Sequence, residues 1–343
     1  MNARELAVLC SQMATMIRAG IPLLQCLRIL IKQNENRTLE KALGQIYEGL
    51  ANGRSIGDTL QDHPKVFPLL FVNMVKSGEI SGTLEEVFYQ LGTILQKEWE
   101  LTAKVKSAML YPMTIVLIAL VSVLALLMFA VPQFVMIFNS MAVPLPLTTR
   151  TLLWVSGVIR DYWYFVLFCG AAIALIATRL LTSEKGRRLM DKLLLRIPLL
   201  GKLLHKMIIL RFCRSLSAML QAGVPILRAL EVVRAIMGNY MVMESIRLAE
   251  NSVREGDGLA QPLENSGLFP PLVVKMIAVG EETGAVDKLL EQVAGFYEQE
   301  AGETATRLTA LVEPVLIAAV GGLVAFIVLS IMLPVFTIVN YIE

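Results

Sequence analysis

An all-α integral membrane protein, with two repeated cytoplasmic helical-bundle domains and three transmembrane helices, is the fold class this sequence predicts. Three observations carry it: apolar stretches without charge, a direct repeat of helical pattern, and a skewed distribution of Lys and Arg. The chain has 343 residues, 55% hydrophobic and 17% charged, against about 25% charged in an ordinary soluble domain. The net charge of +2 gives no overall field for a polyanion, so direct nucleic-acid binding is not expected.

The elements follow in order. Residues 1–106 are read as the first helical domain, because apolar residues recur at helical spacing. No charged residue stands between Lys106 and Arg150, and residues 107–138 are assigned to a first transmembrane helix. An external loop covers 139–160. A second apolar run, entered through Tyr162, Trp163 and Tyr164, where aromatic rings favour the headgroup layer, gives a transmembrane helix over 161–181. Residues 182–310 form the second helical domain. The third transmembrane helix is assigned to 311–339, its apolar run beginning after Glu313 and meeting no charge until Glu343. Cytoplasmic flanks retain positive charge. Lys97, Lys104 and Lys106 precede the first span and a dense series from Arg179 to Lys206 follows the second, whereas the loop between them holds only Arg150 and Arg160. The N-terminus is therefore expected in the cytoplasm and the C-terminus outside.

The repeat fixes the organisation. Leu6, Leu9, Cys10, Met13, Met16 and Ile17 match Ile209, Phe212, Cys213, Leu216, Met219 and Leu220 at a constant offset. Both stripes end in the same turn, Ala19-Gly20-Ile21-Pro22 and Ala222-Gly223-Val224-Pro225. Gly20 and Gly223 are suited to the left-handed residue that closes a helix, and Pro22 and Pro225 to the opening of the next. Gly53 and Leu60 match Gly256 and Leu263, and a one-residue deletion then marks a loop before Phe67-Pro68 and Phe269-Pro270. Next come Gly78-Glu79-Ile80-Ser81-Gly82 and Gly280-Glu281-Glu282-Thr283-Gly284, read as turns between helices. Thr83 to Glu86 has the form of a capping box. Pro112 and Pro132 match Pro314 and Pro334, each pair bracketing about 20 residues, or about one hydrocarbon thickness. Pro112 and Pro314 are taken as structural turns at the start of their spans. Two domain–span units with both domains inside need one extra crossing, and the second span supplies it.

Two A-G-x-P hairpins, two F-P loops, two G-E-x-x-G segments and three spans in this order resemble the inner-membrane platform family of type II secretion systems and type IV pili. The resemblance covers essentially the whole chain, in a short form that starts at the first repeat where many members carry an N-terminal extension. It implies a platform that couples a hexameric cytoplasmic assembly ATPase to filament growth from pilin or pseudopilin subunits, beside other inner-membrane assembly proteins. It also implies a homodimer or higher homo-oligomer. Type II secretion, pilus assembly and competence DNA uptake all remain open.

No enzyme is expected. The sequence has no G-x-x-x-x-G-K-[ST] loop, no H-E-x-x-H pair and no G-x-S-x-G elbow, and His63 and His205 are its only histidines. Neither a cofactor nor a metal site is expected, and Cys10, Cys26, Cys169 and Cys213 are read as buried thiols. The candidate interaction or turn residues are Gly78, Glu79, Gly82, Gly280, Glu281, Gly284 and Glu313. Glu79 and Glu281 are placed either to accept backbone N–H bonds or to pair with a partner's arginine. Glu313, at the mouth of a span, is either functional or snorkels to the headgroups. The basic stretch 187–206 is either an interfacial helix on lipid or the first layer of the second domain. A small transporter and a membrane-anchored adaptor with two binding modules are the alternatives. The transporter fits less well because its repeats would lie in the membrane and bind substrate there.

Overall fold

The computed structural model describes residues 3–131, 133, 147–162 and 200–342, with the single positions 164, 168, 175, 186 and 197. Most of the second span and most of the basic stretch 187–206 fall outside the described residues. So does Cys169. Among the described residues every regular element is helical. The chain divides into two compact units, one of residues 1–104 and 191–304, the other of 105–190 and 305–343.

The helical-bundle parts of both repeats lie in the first unit and share one core. Repeat 1 contributes α1 (Ala3–Arg18), α2 (Leu23–Gln33), α3 (Arg37–Ala51), α4 (Ile56–Gln61), α5 (Leu69–Ser81) and the start of α6 (Leu84–Ala125). The second unit holds α7 (Leu147–Asp161). Repeat 2 gives α8 (Leu200–Gln221), α9 (Ile226–Ile236), α10 (Tyr240–Glu255), α11 (Ala260–Asn265), α12 (Pro271–Thr283) and the start of α13 (Val286–Ile342). The described end of the basic stretch, from Leu200, is thus the first turns of α8.

The repeated stripe is core. Leu6, Leu9, Cys10 and Met13 are buried on α1, and Ile209, Phe212, Cys213, Leu216 and Met219 on α8. Desolvation pushes the thiols of Cys10, Cys26 and Cys213 upward, which keeps them protonated and unreactive. Phe67 and Phe269 are both buried and pack against core aromatics, Phe67 tilted on Phe71 with ring centres 5.1 Å apart and Phe269 edge-on to Phe212 at 4.9 Å. Each F-P segment therefore pins its loop into the core.

The hairpin glycines close their helices as the spacing predicts. Gly20 has φ +77° and Gly223 φ +76°. The Ile21 N–H donates to Met16 O at 3.0 Å and the Gly20 N–H to Ile17 O at 2.9 Å. Val224 to Met219 and Gly223 to Leu220 repeat the pair at 2.9 Å each, so both ends are Schellman motifs. Pro22 and Pro225 sit at the N-cap, with ψ 141° and 140°, one position earlier than a helix-opening proline usually takes. The Pro22 carbonyl still accepts the first helical bond, from Cys26 at 3.0 Å. A Cβ on Gly20 would meet nothing within 4 Å, so the cost of a side chain there is purely conformational. Gly20→Val is expected to lower stability by about 1–2 kcal/mol; an unchanged thermal midpoint would mean the turn is not under this constraint.

Two expectations change. Pro112 and Pro314 are not turns: both lie inside continuous helices, α6 and α13. Proline removes one backbone bond and bends a helix without ending it when the surrounding turns hold. The 139–160 segment, expected as a loop, carries α7 over Leu147–Asp161. Its Leu152 packs with Leu127, Val131 and Ile327. The Thr149 hydroxyl donates to Ser330 O at 2.5 Å and the Ser156 hydroxyl to Leu127 O at 2.8 Å. Leu127 belongs to a single π-helical turn, Leu126–Ala130, that follows α6. A π turn loosens the backbone ladder, and a serine hydroxyl is the kind of donor that satisfies a carbonyl loosened in this way.

Among the described residues, two helices are long and apolar enough to cross a membrane, over Leu84–Phe129 and Val286–Leu333. Only 11% and 17% of their most apolar stretches are buried, whereas a soluble core helix would be mostly covered. Leu110, Met113, Leu117 and Ile118 on α6, and Val315, Ile317 and Leu329 on α13, are exposed.

Candidate functional site

The two G-E-x-x-G segments are the most strongly repeated polar feature, and the structure divides their labour. Gly78 and Glu79 lie in the last turn of α5, not in a loop, and Gly280 and Glu281 likewise in α12. Only Gly82 and Gly284 turn the chain, at φ +75° and +69°, with Thr83 N–H donating to Gly78 O at 2.8 Å and Ala285 N–H to Gly280 O at 2.9 Å. Helix α6 then starts at Leu84, directly after Thr83, whose hydroxyl lies 2.7 Å from that of Ser81.

Gly78 and Gly280 answer to a close approach. A Cβ on Gly78 would come within 2.7 Å of Val87 Cγ2, and one on Gly280 within 2.7 Å of the Val286 Cα. The following helix folds back tightly over that position.

The glutamates cap a different helix. The N–H of Ile56 donates to Glu79 Oε1 at 2.8 Å and that of Gly57 to Oε2 at 3.1 Å. In repeat 2 the Leu259 and Ala260 N–H groups donate to Glu281, the latter at 3.2 Å. A carboxylate at a helix start satisfies orphan N–H groups and opposes the positive end of the dipole. Both oxygens of each glutamate are engaged with backbone, so α5 is tied to α4 and α12 to α11 by the same device.

Glu313 lies in the second unit, where the Tyr111 hydroxyl is 3.5 Å from its Oε1. Tyr111 and Glu313 occupy equivalent repeat positions, each directly before its proline. Glu79 and Glu281 belong to the first unit.

Sequence reading missed a cleft of about 680 Å³ between the repeats. Phe71, Leu91 and Ile94 line one side, Met207, Ile208 and Met237 the other. Its edge carries Arg211, paired with Glu98 at 2.8 Å, and Arg214, paired with Glu298 at 2.7 Å. The walls can take an apolar group but offer no nucleophile with a base. Among the described residues no cluster of His, Cys, Asp or Glu is suited to a metal. No single-sequence signal marks the cleft, since its residues come from α5, α6, α8, α9 and the segment that follows α9.

Comparison with known proteins falls on the same two repeats. The family model described as type II secretion system (T2SS), protein F, matches residues 9–132 and again 212–334. The chain belongs to this protein F family. Its relatives include the type IV pilus assembly protein PilC of Thermus thermophilus, 39% identical over 98% of this chain and 83% of that protein. PilC of Myxococcus xanthus is 36% identical over 100% of this chain and 82% of its own length. The type II secretion system protein F of Aeromonas hydrophila is 33% identical over 100% of this chain and 88% of its own. The family match spans each repeat from its first helix into the apolar stretch, so helical repeat and apolar helix form one unit of the protein F family.

Proposed function

We propose that this chain is an inner-membrane platform protein that couples a hexameric cytoplasmic assembly ATPase to the building of a pilus or pseudopilus from pilin-like subunits. The observation that carries this reading is the double match to the protein F family, joined by pilus-assembly relatives over nearly the whole chain. Two exposed apolar helices, each continuing from a helical repeat, support placement in the membrane. Charge distribution supports the finer topology: residues 1–106 and 182–310 in the cytoplasm, spans at 107–138, 161–181 and 311–339, and the C-terminus outside. The packed helix α7 stands where the external connection is expected. The chain itself carries no phosphate-binding loop, so energy comes from a partner. It also has no catalytic role in this reading.

Deletion of the gene is expected to leave the partner ATPase and the pilin-like subunits present while abolishing the filament. Immunoblots and electron microscopy of the same cells would check it, and filaments in the deletion strain would overturn the reading. Reporters fused after Glu343 and within 140–158 should report the outside, and those near residues 60 and 255 the cytoplasm.

A further inference from the structure

The two repeats meet head to tail. Helix α5 of repeat 1 packs on α8 and α9 of repeat 2. The Ser77 hydroxyl donates to Ala222 O at 2.7 Å, and the Arg228 guanidinium to the Asn73 side-chain oxygen at 3.3 Å. A face-to-face pair would set α12 on α1 and α2 in the same way, and among the described residues no comparable packing exists. Each repeat therefore uses a different surface, and among the described residues nothing packs on the counterpart of each surface.

The repeat 2 surface is apolar, and the repeat 1 surface mixes apolar with small and polar side chains. On repeat 2, Leu272, Val279 and Phe296 are 42%, 48% and 49% exposed. They correspond to Leu70, Ser77 and Ile94, which stand partly buried at the joint within the chain. On repeat 1, Gln12, Thr15 and Ala19 are exposed where Ser215, Ala218 and Ala222 are buried, with Val8 and Leu24 exposed beside them. The polar pair also has a compatible counterpart, because exposed Lys275 and Gln25 stand for Asn73 and Arg228. The Arg211–Glu98 ion pair has none, since Val8 stands at Arg211's position and makes that edge more apolar.

We propose that a second copy of this chain docks its Leu272, Val279 and Phe296 face onto the Val8, Thr15, Ala19 and Leu24 face of the first, repeating between chains the joint that exists within one. A head-to-tail joint makes an open series or a ring. Closure rests on the membrane reading above: copies held in one bilayer share an orientation, and rotation about a common axis closes the series.

The test uses the full-length chain in membranes, in two tagged forms, one with Val279→Cys and the other with Ala19→Cys, both with Cys169→Ser. A short bis-maleimide should give an adduct carrying both tags, and neither variant alone should give one. Phe296→Glu should abolish the adduct and shift the detergent-extracted particle to monomer mass while the melting temperature holds, because the side chain is exposed in the single chain. Absence of a mixed adduct, an adduct of Val279→Cys with itself, or an adduct that survives Phe296→Glu would each overturn the proposal. Filament loss on deletion without any ring would overturn it and leave the platform reading standing; a ring without filament loss would do the reverse.

Discussion

Replacing both Glu79 and Glu281 by alanine is expected to lower the stability of the helical unit by roughly 3–6 kcal/mol. Each carboxylate accepts two backbone N–H bonds from the start of a six-residue helix. Losing a charged acceptor and leaving its donors part-buried costs about 1.5–3 kcal/mol per site. The sites lie in different repeats and share no partner, so their costs should add. Glutamine keeps one acceptor oxygen and is expected to cost about half as much per site. Denaturation of the full chain in detergent, followed by circular dichroism, would check both values. Unchanged stability with lost capture of the assembly ATPase would instead assign these glutamates to a partner interface.

Gly280→Ala should also be costly, and more so than Gly78→Ala. The added Cβ at 280 meets backbone, 2.7 Å from the Val286 Cα and 3.1 Å from its nitrogen. Relief requires α13 to move away from α12. At 78 the nearest atom is a methyl of Val87, which gives way by a side-chain adjustment. Overpacking of this kind costs about 1–3 kcal/mol, against about 1 kcal/mol returned by alanine's better helix propensity. A net loss of about 2 kcal/mol at 280 and about 1 kcal/mol or less at 78 is expected in paired thermal melts. Equal midpoints for the two variants would show that the close crossing is softer than its geometry.

These residues show what a single sequence can carry. The hairpins were legible because a glycine at positive φ and a proline beside it leave a mark at fixed spacing, as at Gly20-Ile21-Pro22. Gly78 and Gly280 were misplaced into turns because a glycine needed for close approach looks identical in sequence to one needed for φ. The partners of Glu79 were out of reach, since Ile56 lies 23 residues earlier and nothing local links a carboxylate to another helix's first amides. Pro112 and Pro314 were misread because proline ends most soluble helices, whereas α6 and α13 absorb it. Helix α7 was hidden by Arg150, Arg160 and its threonines, which are equally suited to a loop. The joint between repeats could not be seen at all, because two copies of one pattern predict equal surfaces and only packing makes them unequal.

The π turn at Leu126–Ala130 carries a consequence of its own for that equality. By residue count the two apolar helices stay in step, and Leu126–Ala130 correspond to positions 328–332. Helix α13 remains α-helical through those positions, while the first helix widens there. A wider turn advances less per residue, so by its end the first helix lags an ideal α-helix by up to about 100°, one residue's rotation. Beyond that point homologous side chains are equal in number and unequal in azimuth. Val131 therefore presents itself in a different direction from its homologue Leu333, and substitutions that trace one continuous stripe along α13 would trace a stripe with a phase jump along its twin.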